Sequence, residues 1–343
     1  MMKVTVFGAG AIGGVTGAYL ARGGVDVTLV DKVKEHVEAI NQRGLFLDGI
    51  RGELTVPVKA ITPDQLSGPL ELVLLAVKAM NTEESARTVL PYLGEGSIVV
   101  SMQNGLNEPL ISEMIGYKRT IGCFVNFGAD YHGPGHIRHG GVGSLYIGEL
   151  DGKITPRIQE IQKILSNVTT TYVTENIWGY LWSKLTCCSL YFITALVDAT
   201  IAEVVSHKKY QEFIVKVVSE AVRVARAEEI RLEQYDYYNP TLMTPETPEE
   251  WQRAYGVLDQ MAEKTSKDVK TKTGIWRDLA VRKRKTEVDF QSGVIIEKAK
   301  KHQLETPLTE AVVKMVKEIE DGKRGMAWEN LDELLLFSEP LRV

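Results

Sequence analysis

The feature that most constrains the fold is a glycine-rich turn between an apolar run and an amphipathic stretch at the start of the chain. The run Val4–Phe7 has strand character, and Gly13–Arg22 has helical periodicity. The turn that joins them consists of Gly8, Ala9, Gly10, Ala11, Ile12 and Gly13. Glycines at this spacing permit a tight turn, close approach of the backbone to a pyrophosphate, and close packing of helix on strand. The turn therefore predicts a dinucleotide site, with a purely structural turn as the alternative.

The first half of the chain alternates apolar runs with amphipathic stretches, which predicts βα units on a mainly parallel sheet. Strands are predicted at Val4–Phe7, Val27–Val30, Leu72–Ala76, Ile98–Ser101 and Thr120–Asn126. Helices are predicted at Gly13–Arg22, Lys34–Arg43, Thr82–Tyr92 and Glu108–Ile115. Glycine and proline between residues 133 and 141 predict antiparallel hairpins. A helix at Pro156–Leu165 and a strand at Thr171–Thr174 would complete a doubly wound Rossmann domain over residues 1–174.

The second half, residues 175–343, has the pattern of an all-α domain, so the predicted fold class is α/β with a helical C-terminal domain. Its helices are predicted at Asn176–Val197, Tyr210–Glu228, Glu249–Lys272, Trp276–Lys301 and Thr309–Glu320. Breaks are predicted at Gly274 and at Leu304–Pro307, because a proline removes a hydrogen-bond donor and restricts the residue before it.

The charge balance and the cysteines exclude several classes of function. A net charge of −5 gives no general attraction for nucleic acid or for an acidic membrane surface. The three cysteines, two of them adjacent, suit neither a disulfide framework nor a metal site, and we expect no metal. The histidines at 132, 136 and 139 do not define a metal site either. No export signal is visible, so we expect a cytoplasmic protein.

An acidic residue at the end of the second predicted strand bears on the choice of dinucleotide. Asp31 has the spacing of an acid that accepts the ribose hydroxyls of adenosine, which favours NAD(H) over NADP(H). Two nearby cations, Lys32 and Lys78, would instead hold a 2′-phosphate if that acid turned away. Asp31 as a solvated loop acid is the structural alternative.

A lone lysine, Lys184, lies within a strongly apolar predicted helix of the second half. Burial of an ammonium group is costly unless the group is paired, so a lysine in this position is a candidate proton donor. A side chain that reaches solvent from the rim of the helix is an equal alternative on the residues alone.

Four stretches of this chain together resemble the ketopantoate reductase (2-dehydropantoate 2-reductase) family: Gly8–Gly14, Gln103–Gly105, Leu181–Leu185 and Thr286–Gly293. The resemblance implies a Rossmann domain followed by a helical domain whose lysine, here Lys184, protonates the substrate carbonyl oxygen. It also implies that Glu287 contacts the substrate near this lysine, and that Asn104 faces the nicotinamide and the substrate. A solvated Glu287 and an Asn104 that only shapes its turn are the structural alternatives.

The chain departs from the family pattern at the substrate. Two asparagines that follow the lysine in the family correspond here to Cys188 and to Tyr191 or Phe192, which predicts a larger and more apolar pocket wall. The family's serine for the substrate carboxylate is also absent. Arg277, in a segment rich in lysine and arginine, is a candidate replacement, because its planar guanidinium group binds carboxylates; a solvated helix face is the alternative.

These observations favour an enzyme that reduces a 2-oxo acid to a 2-hydroxy acid with a nicotinamide dinucleotide, similar to the reductase of pantothenate biosynthesis. An NAD-dependent D-2-hydroxy acid dehydrogenase for a bulkier, apolar substrate is one alternative hypothesis. A non-catalytic dinucleotide sensor is another. The expected partner is a small 2-oxo acid, with neither nucleic acid nor membrane, and the long helices are compatible with a homodimer.

Overall fold

A mainly parallel sheet forms the centre of the N-terminal unit in the computed structural model, which describes residues 2–338. The chain divides into two compact units, one that ends at Ile177 and one that begins at Trp178. The predicted fold class, an α/β unit followed by a helical unit, is confirmed. The roles that the sequence assigns to residues 1–174 and 175–343 stay a prediction.

The strands of the N-terminal unit are β1 Val4–Phe7, β2 Val27–Val30, β3 Leu45–Gly49, β4 Leu54–Val56, β5 Lys59–Ile61, β6 Leu70–Leu75, β7 Leu93–Ser101, β8 Thr120–Val125, β9 Gly128–Gly133, β10 His136–Gly141, β11 Leu145–Glu149 and β12 Thr171–Val173. Its helices are α1 Ala11–Arg22, α2 Lys34–Arg43, α3 Thr82–Val89, α4 Glu108–Ile115 and α5 Pro156–Leu165. The predicted elements are all present, with ends that agree or differ by a few residues.

The order of strands in the main sheet is β12-β11-β8-β7-β6-β1-β2-β5. All neighbours run parallel except β8 and β11, which are antiparallel. The chain adds β2 and β5 on one side of β1 and then returns to add β6 on the other side. Ligands of doubly wound sheets bind where the order of strands reverses in this way, at the carboxyl ends of the strands. The end of β1, where the glycine turn begins, lies at that position.

A second sheet of four strands, in the order β4-β3-β10-β9, belongs to the same unit within the described residues. The β9–β10 hairpin is the hairpin that the glycines predict. The strands β3, β4 and β5 have no counterpart in the sequence prediction. They are short, and β3 pairs in parallel with β10, almost ninety residues further along the chain, so no local pattern indicates this partnership.

The helical unit contains α6 Ile177–Thr194, α7 Ile201–Ser206, α8 Lys208–Ala227, α9 Pro248–Lys267, α10 Gly274–Ala280, α11 Ser292–Lys301, α12 Pro307–Glu320 and α13 Glu329–Ser338. The predicted continuous helix Trp276–Lys301 is wrong, since residues 281–291 are not helical. Asp278, whose side chain is buried, explains the interruption. Its backbone carbonyl accepts from the N–H of Arg284, and its carboxylate binds Arg282 and Arg284. The pairing of this buried charge accompanies the end of α10 after about two turns of helix.

The core of the N-terminal unit follows the alternation of strand and helix, with fully buried side chains such as Val6, Leu29 and Leu72 between the sheet and its helices. None of the helices in residues 2–338 combines the length and the apolar character that a crossing of the bilayer needs.

Candidate active site

The glycine turn after β1 has no room for side chains at two of its three glycines. Gly8 has a φ of +98°, and a Cβ atom at this position would lie 2.8 Å from Val77 Cγ1. A Cβ atom at Gly13 would lie 1.9 Å from the carbonyl oxygen of Gly8, so the helix reaches the strand only with glycine there. Around Gly10, by contrast, a Cβ atom would meet nothing within 4 Å.

This geometry fits a dinucleotide pyrophosphate. Gly10 is the N-cap of α1 and makes no side-chain cap, so the first N–H groups of the helix face the space beside it. The N-terminus of a helix attracts anions through these N–H groups and through the positive end of its dipole.

Residues predicted to contact the cofactor lie at the same edge of the sheet, each after the carboxyl end of a parallel strand. Asp31 follows β2 and is half-buried; one of its carboxylate oxygens accepts from the N–H of Val33 at 3.0 Å. Lys32 is exposed beside it, whereas Lys78, after β6, is half-buried. Asn104 follows β7 and is exposed. The contact with Val33 involves only one of the two carboxylate oxygens of Asp31.

A buried polar network holds the Asn104 turn in place. The Gln103 side-chain amide donates to the carbonyl oxygen of Val77 at 3.1 Å and to the hydroxyl of Thr82 at 2.7 Å. Thr82 donates in turn to the side chain of Asn107, whose amide donates to the backbone oxygen of Asn104 at 2.8 Å. The network joins the segments that follow β6 and β7. The sequence analysis missed Thr82 and Asn107, since only the approach of the two segments gives them a role.

In the helical unit, Lys184 lies on α6 and is half-buried among apolar neighbours. Helical spacing places Cys187, Cys188 and Tyr191 on its own face, one and two turns further on. The Lys184 ammonium nitrogen lies 5.8 Å from the centre of the Tyr191 ring. A cation at this distance from the face of an aromatic ring is attracted to the ring.

Glu287 lies in the turn before α11 and is 8% exposed. The preceding residue, Thr286, fixes this turn: its N–H and its hydroxyl both donate to Glu320, at 2.7 and 2.6 Å. Burial raises the pKa of the Cys188 thiol to about 12, the positive charge of Lys184 opposes this rise, and the negative charge of Glu287 adds to it. Lys184 and Glu287 therefore both lie within electrostatic range of one buried thiol, which itself stays neutral at physiological pH.

A cluster of four tyrosines lies at α6, and the sequence analysis missed three of them. The loop between α8 and α9 supplies three of them, Tyr235, Tyr237 and Tyr238, and Tyr191 of α6 is the fourth. The Tyr238 hydroxyl forms a hydrogen bond with Thr186 at 2.9 Å, and Tyr191 is hydrogen-bonded to Tyr237. Burial raises the pKa of Tyr191, so its hydroxyl keeps its proton. The wall beside Lys184 thus presents the ring of Tyr191, whose hydroxyl is neutral.

The basic segment around α10 is largely paired with acids. Lys272 binds Asp198 at 2.6 Å and lies 3.9 Å from the centre of the Trp276 ring. Arg282 and Arg284 bind the buried Asp278. Arg277, the candidate for the substrate carboxylate, is half-buried on α10. These pairs make most of the segment a structural feature of the unit.

The three histidines near the β9–β10 hairpin differ in burial and in their partners. His139 is buried and forms a hydrogen bond with the Tyr19 hydroxyl at 3.2 Å, and burial lowers its pKa to about 4. His136 pairs with Asp48 at 3.2 Å, and His132 is exposed beside it. Within residues 2–338, no group of three or more His, Cys, Asp and Glu side chains is arranged to hold a metal ion.

Comparison with known families and sequences gives matches over nearly the whole chain. Residues 4–152 match the model "Ketopantoate reductase PanE/ApbA", and residues 176–320 match the model of the C-terminal part of the same family. A 2-dehydropantoate 2-reductase of Pyrococcus horikoshii is 30% identical over 319 residues, which cover 92% of this chain and 97% of the relative. The enzyme of the same name from Pyrococcus abyssi is 31% identical over 94% of this chain and 100% of its own length.

Solved structures share the fold. A PanE/ApbA family ketopantoate reductase from Ralstonia eutropha superimposes with a TM-score of 0.79 at 26% identity, covering 94% of this chain and 99% of that structure. A D-mandelate dehydrogenase, solved with NADH and anilino(oxo)acetate, superimposes with a TM-score of 0.80 at 22% identity over 94% of this chain and 99% of that structure. At this lower identity the second likeness concerns the architecture alone.

Proposed function

The chain belongs to the ketopantoate reductase family, and from this premise we propose that it reduces a 2-oxo acid to the 2-hydroxy acid with Lys184 as the proton donor. It is a nicotinamide-dependent oxidoreductase that acts on a CH–OH group. The observation that supports the role of Lys184 best is its place on α6, half-buried, with buried thiols and a tyrosine ring on the same helical face.

For the cofactor, the proposed contacts are the N–H groups of the turn from Gly8 to Gly13 with the pyrophosphate, and Asp31 with the adenosine ribose. NAD(H) is the preferred dinucleotide in this proposal, because the free oxygen of Asp31 accepts from a ribose hydroxyl and would repel a 2′-phosphate. The exposed Lys32 and the half-buried Lys78 are the groups that would admit NADP(H) instead.

For the chemistry, the reduced nicotinamide supplies a hydride to the carbonyl carbon when it is bound. The Lys184 ammonium group stabilises the negative charge that grows on the carbonyl oxygen and then gives this oxygen a proton. Glu287, held in a buried turn, orients the ammonium group or accepts from a hydroxyl of the substrate. Asn104 is proposed to fix the nicotinamide or the carbonyl group, and Arg277 to bind the carboxylate of the substrate.

The wall next to Lys184 gives a specific reason to consider a bulkier substrate than ketopantoate. Cys188 stays neutral, and Tyr191 presents its ring, at positions where the family pattern has amide side chains. Such a surface favours an apolar or aromatic side chain on the 2-oxo acid, as in the D-2-hydroxy acid dehydrogenase alternative.

The experiment that tests the proposal follows NADH oxidation with a panel of 2-oxo acids. We expect Lys184→Ala to lower kcat by about 10²- to 10⁴-fold, the usual contribution of a general acid. Lys300→Ala, which removes an exposed lysine of α11 in the same unit, is the matched control and should behave as the wild type. A Lys184→Ala variant with unchanged turnover would contradict the proposed role.

The same panel separates the two substrate classes. It compares kcat/KM for ketopantoate with the values for phenylpyruvate and a branched 2-oxo acid. A specificity constant for ketopantoate that is higher by orders of magnitude would exclude the bulky-substrate alternative, and the reverse order would support it.

A further inference from the structure

A buried histidine that the proposed chemistry does not use contacts the glycine turn directly. His36 lies on α2 and is 1% exposed. Its Nε2 atom lies 2.9 Å from the carbonyl oxygen of Ala9, in the middle of the turn. Its Nδ1 atom lies 2.8 Å from the backbone nitrogen of Gly135, at the tip of the β9–β10 hairpin. One ring thus joins the turn to a segment nearly a hundred residues further along the chain.

The two partners determine where the proton of the ring is. The N–H of Gly135 is a donor, so Nδ1 accepts and carries no proton. The carbonyl oxygen of Ala9 is an acceptor, so Nε2 carries the proton and donates. The neutral imidazole satisfies both backbone groups at once. The hairpin tip is itself fixed, because the carbonyl oxygen of Gly135 accepts from the N–H of Phe46 at 2.9 Å.

The contact with Ala9 also determines the direction of the next N–H group. The carbonyl of Ala9 and the N–H of Gly10 belong to one planar trans peptide and point in opposite directions. A carbonyl held toward His36 therefore turns the N–H of Gly10 away from His36. A Cβ atom added to Gly10 would have no other atom within 4 Å, so the space beside this residue is open.

We propose that His36 is a positioning residue that holds the Ala9–Gly10 peptide of the turn in the orientation required for binding the dinucleotide pyrophosphate. The proposal rests on the cofactor site of the proposed function. His36 touches neither substrate nor the reacting atoms. It acts on the affinity for the cofactor, and the rate at saturating cofactor does not depend on it.

Two substitutions separate its two hydrogen bonds. In His36→Asn, the side-chain oxygen takes the place of Nδ1 and still accepts from Gly135, but the shorter side chain does not reach Ala9. In His36→Gln, the side-chain N–H takes the place of the Nε2 proton and still donates to Ala9, while the contact with Gly135 is lost. His139→Gln is the control, since it alters another buried histidine of the same unit, one that is bonded to Tyr19.

The measurement is the dissociation constant of NADH from the full chain, by fluorescence titration, with kcat and the KM for NADH beside it. We expect His36→Asn to bind NADH about tenfold more weakly, as for the loss of one hydrogen bond, with kcat at saturation unchanged. We expect His36→Gln and His139→Gln to bind within about twofold of the wild type, below the effect of one hydrogen bond.

Three outcomes would overturn the proposal: wild-type affinity in His36→Asn, an equal loss in His139→Gln, or a tenfold loss in His36→Gln. The last of these decides the question by itself if His36→Asn does not fold. A wild-type chain that binds neither NADH nor NADPH would instead contradict the cofactor site of the proposed function, so the two failures are distinguishable.

Discussion

Glu228, the residue directly after α8, binds three side chains at the C-terminal end of α11. Its replacement tests how much these contacts stabilise the helical unit. Its carboxylate lies 2.5 Å from Lys298 Nζ, 3.3 Å from Lys301 Nζ and 2.6 Å from His302 Nε2. The Glu228 side chain is 12% exposed, so water screens its contacts with Lys298 and His302 less than its contact with Lys301, which is 69% exposed. The helix α11 follows directly on the turn that contains Glu287.

The structure gives the size and the sign of the effect. Burial by itself raises the pKa of Glu228, but the hydrogen bonds from Lys298 and His302 outweigh it and lower the pKa from the usual 4.5 to about 2. That difference corresponds to about 3 kcal/mol of folding free energy. Because the pKa is lower in the folded state, the contribution is complete above pH 4.5 and is lost as the pH falls toward 2.

We therefore expect Glu228→Gln to lower the free energy of unfolding by about 3 kcal/mol at neutral pH, and by only about 1 kcal/mol near pH 3. Urea denaturation of both proteins over this pH range measures the difference. Glu297→Gln, at an exposed position of α11, is the matched control and should change stability little at either pH. If Glu228→Gln lowered the free energy of unfolding by the same amount at both pH values, this reasoning would be refuted.

Two further predictions concern the cofactor half of the site. Gly13→Ala should lower both the Tm and the affinity for NADH, because its Cβ atom would lie 1.9 Å from the carbonyl oxygen of Gly8. Gly10→Ala should weaken NADH binding without lowering the Tm, because its Cβ atom would have no neighbour within 4 Å. Thermal denaturation and NADH titration test this pair, and an equal fall in Tm for both variants would contradict it. Asp31→Ser should weaken NADH binding by about tenfold relative to NADPH, because it removes a charged acceptor for a ribose hydroxyl. The ratio of the two dissociation constants measures this effect, and an unchanged ratio would exclude Asp31 as the selecting residue.

Local patterns in the sequence were sufficient for much of the N-terminal unit. Four elements have the predicted ends: the strands Val4–Phe7 and Val27–Val30 and the helices Lys34–Arg43 and Glu108–Ile115. Each of these elements carries its own signal, an apolar run or an amphipathic period with a clear boundary. The same holds for the glycine turn, whose spacing reflects steric limits within a single strand-to-helix connection.

The prediction failed where a distant partner overrides the local signal. Residues 281–291 have the composition of a helix. The buried carboxylate of Asp278 instead binds Arg282 and Arg284, and the helix ends before them. The strand β3 pairs with a hairpin strand far along the chain, which no local period indicates.

For this protein, the sequence by itself predicted most of the main-sheet strands and their helices, the glycine turn and Lys184 as the candidate proton donor. The tertiary structure alone decided which side chains surround them. His36 contacts the turn, and Tyr237 contacts Tyr191, only because segments that are distant in sequence meet in the fold. Periodicity records which face of an element is buried, and it carries no information about the partner on the other side of that face.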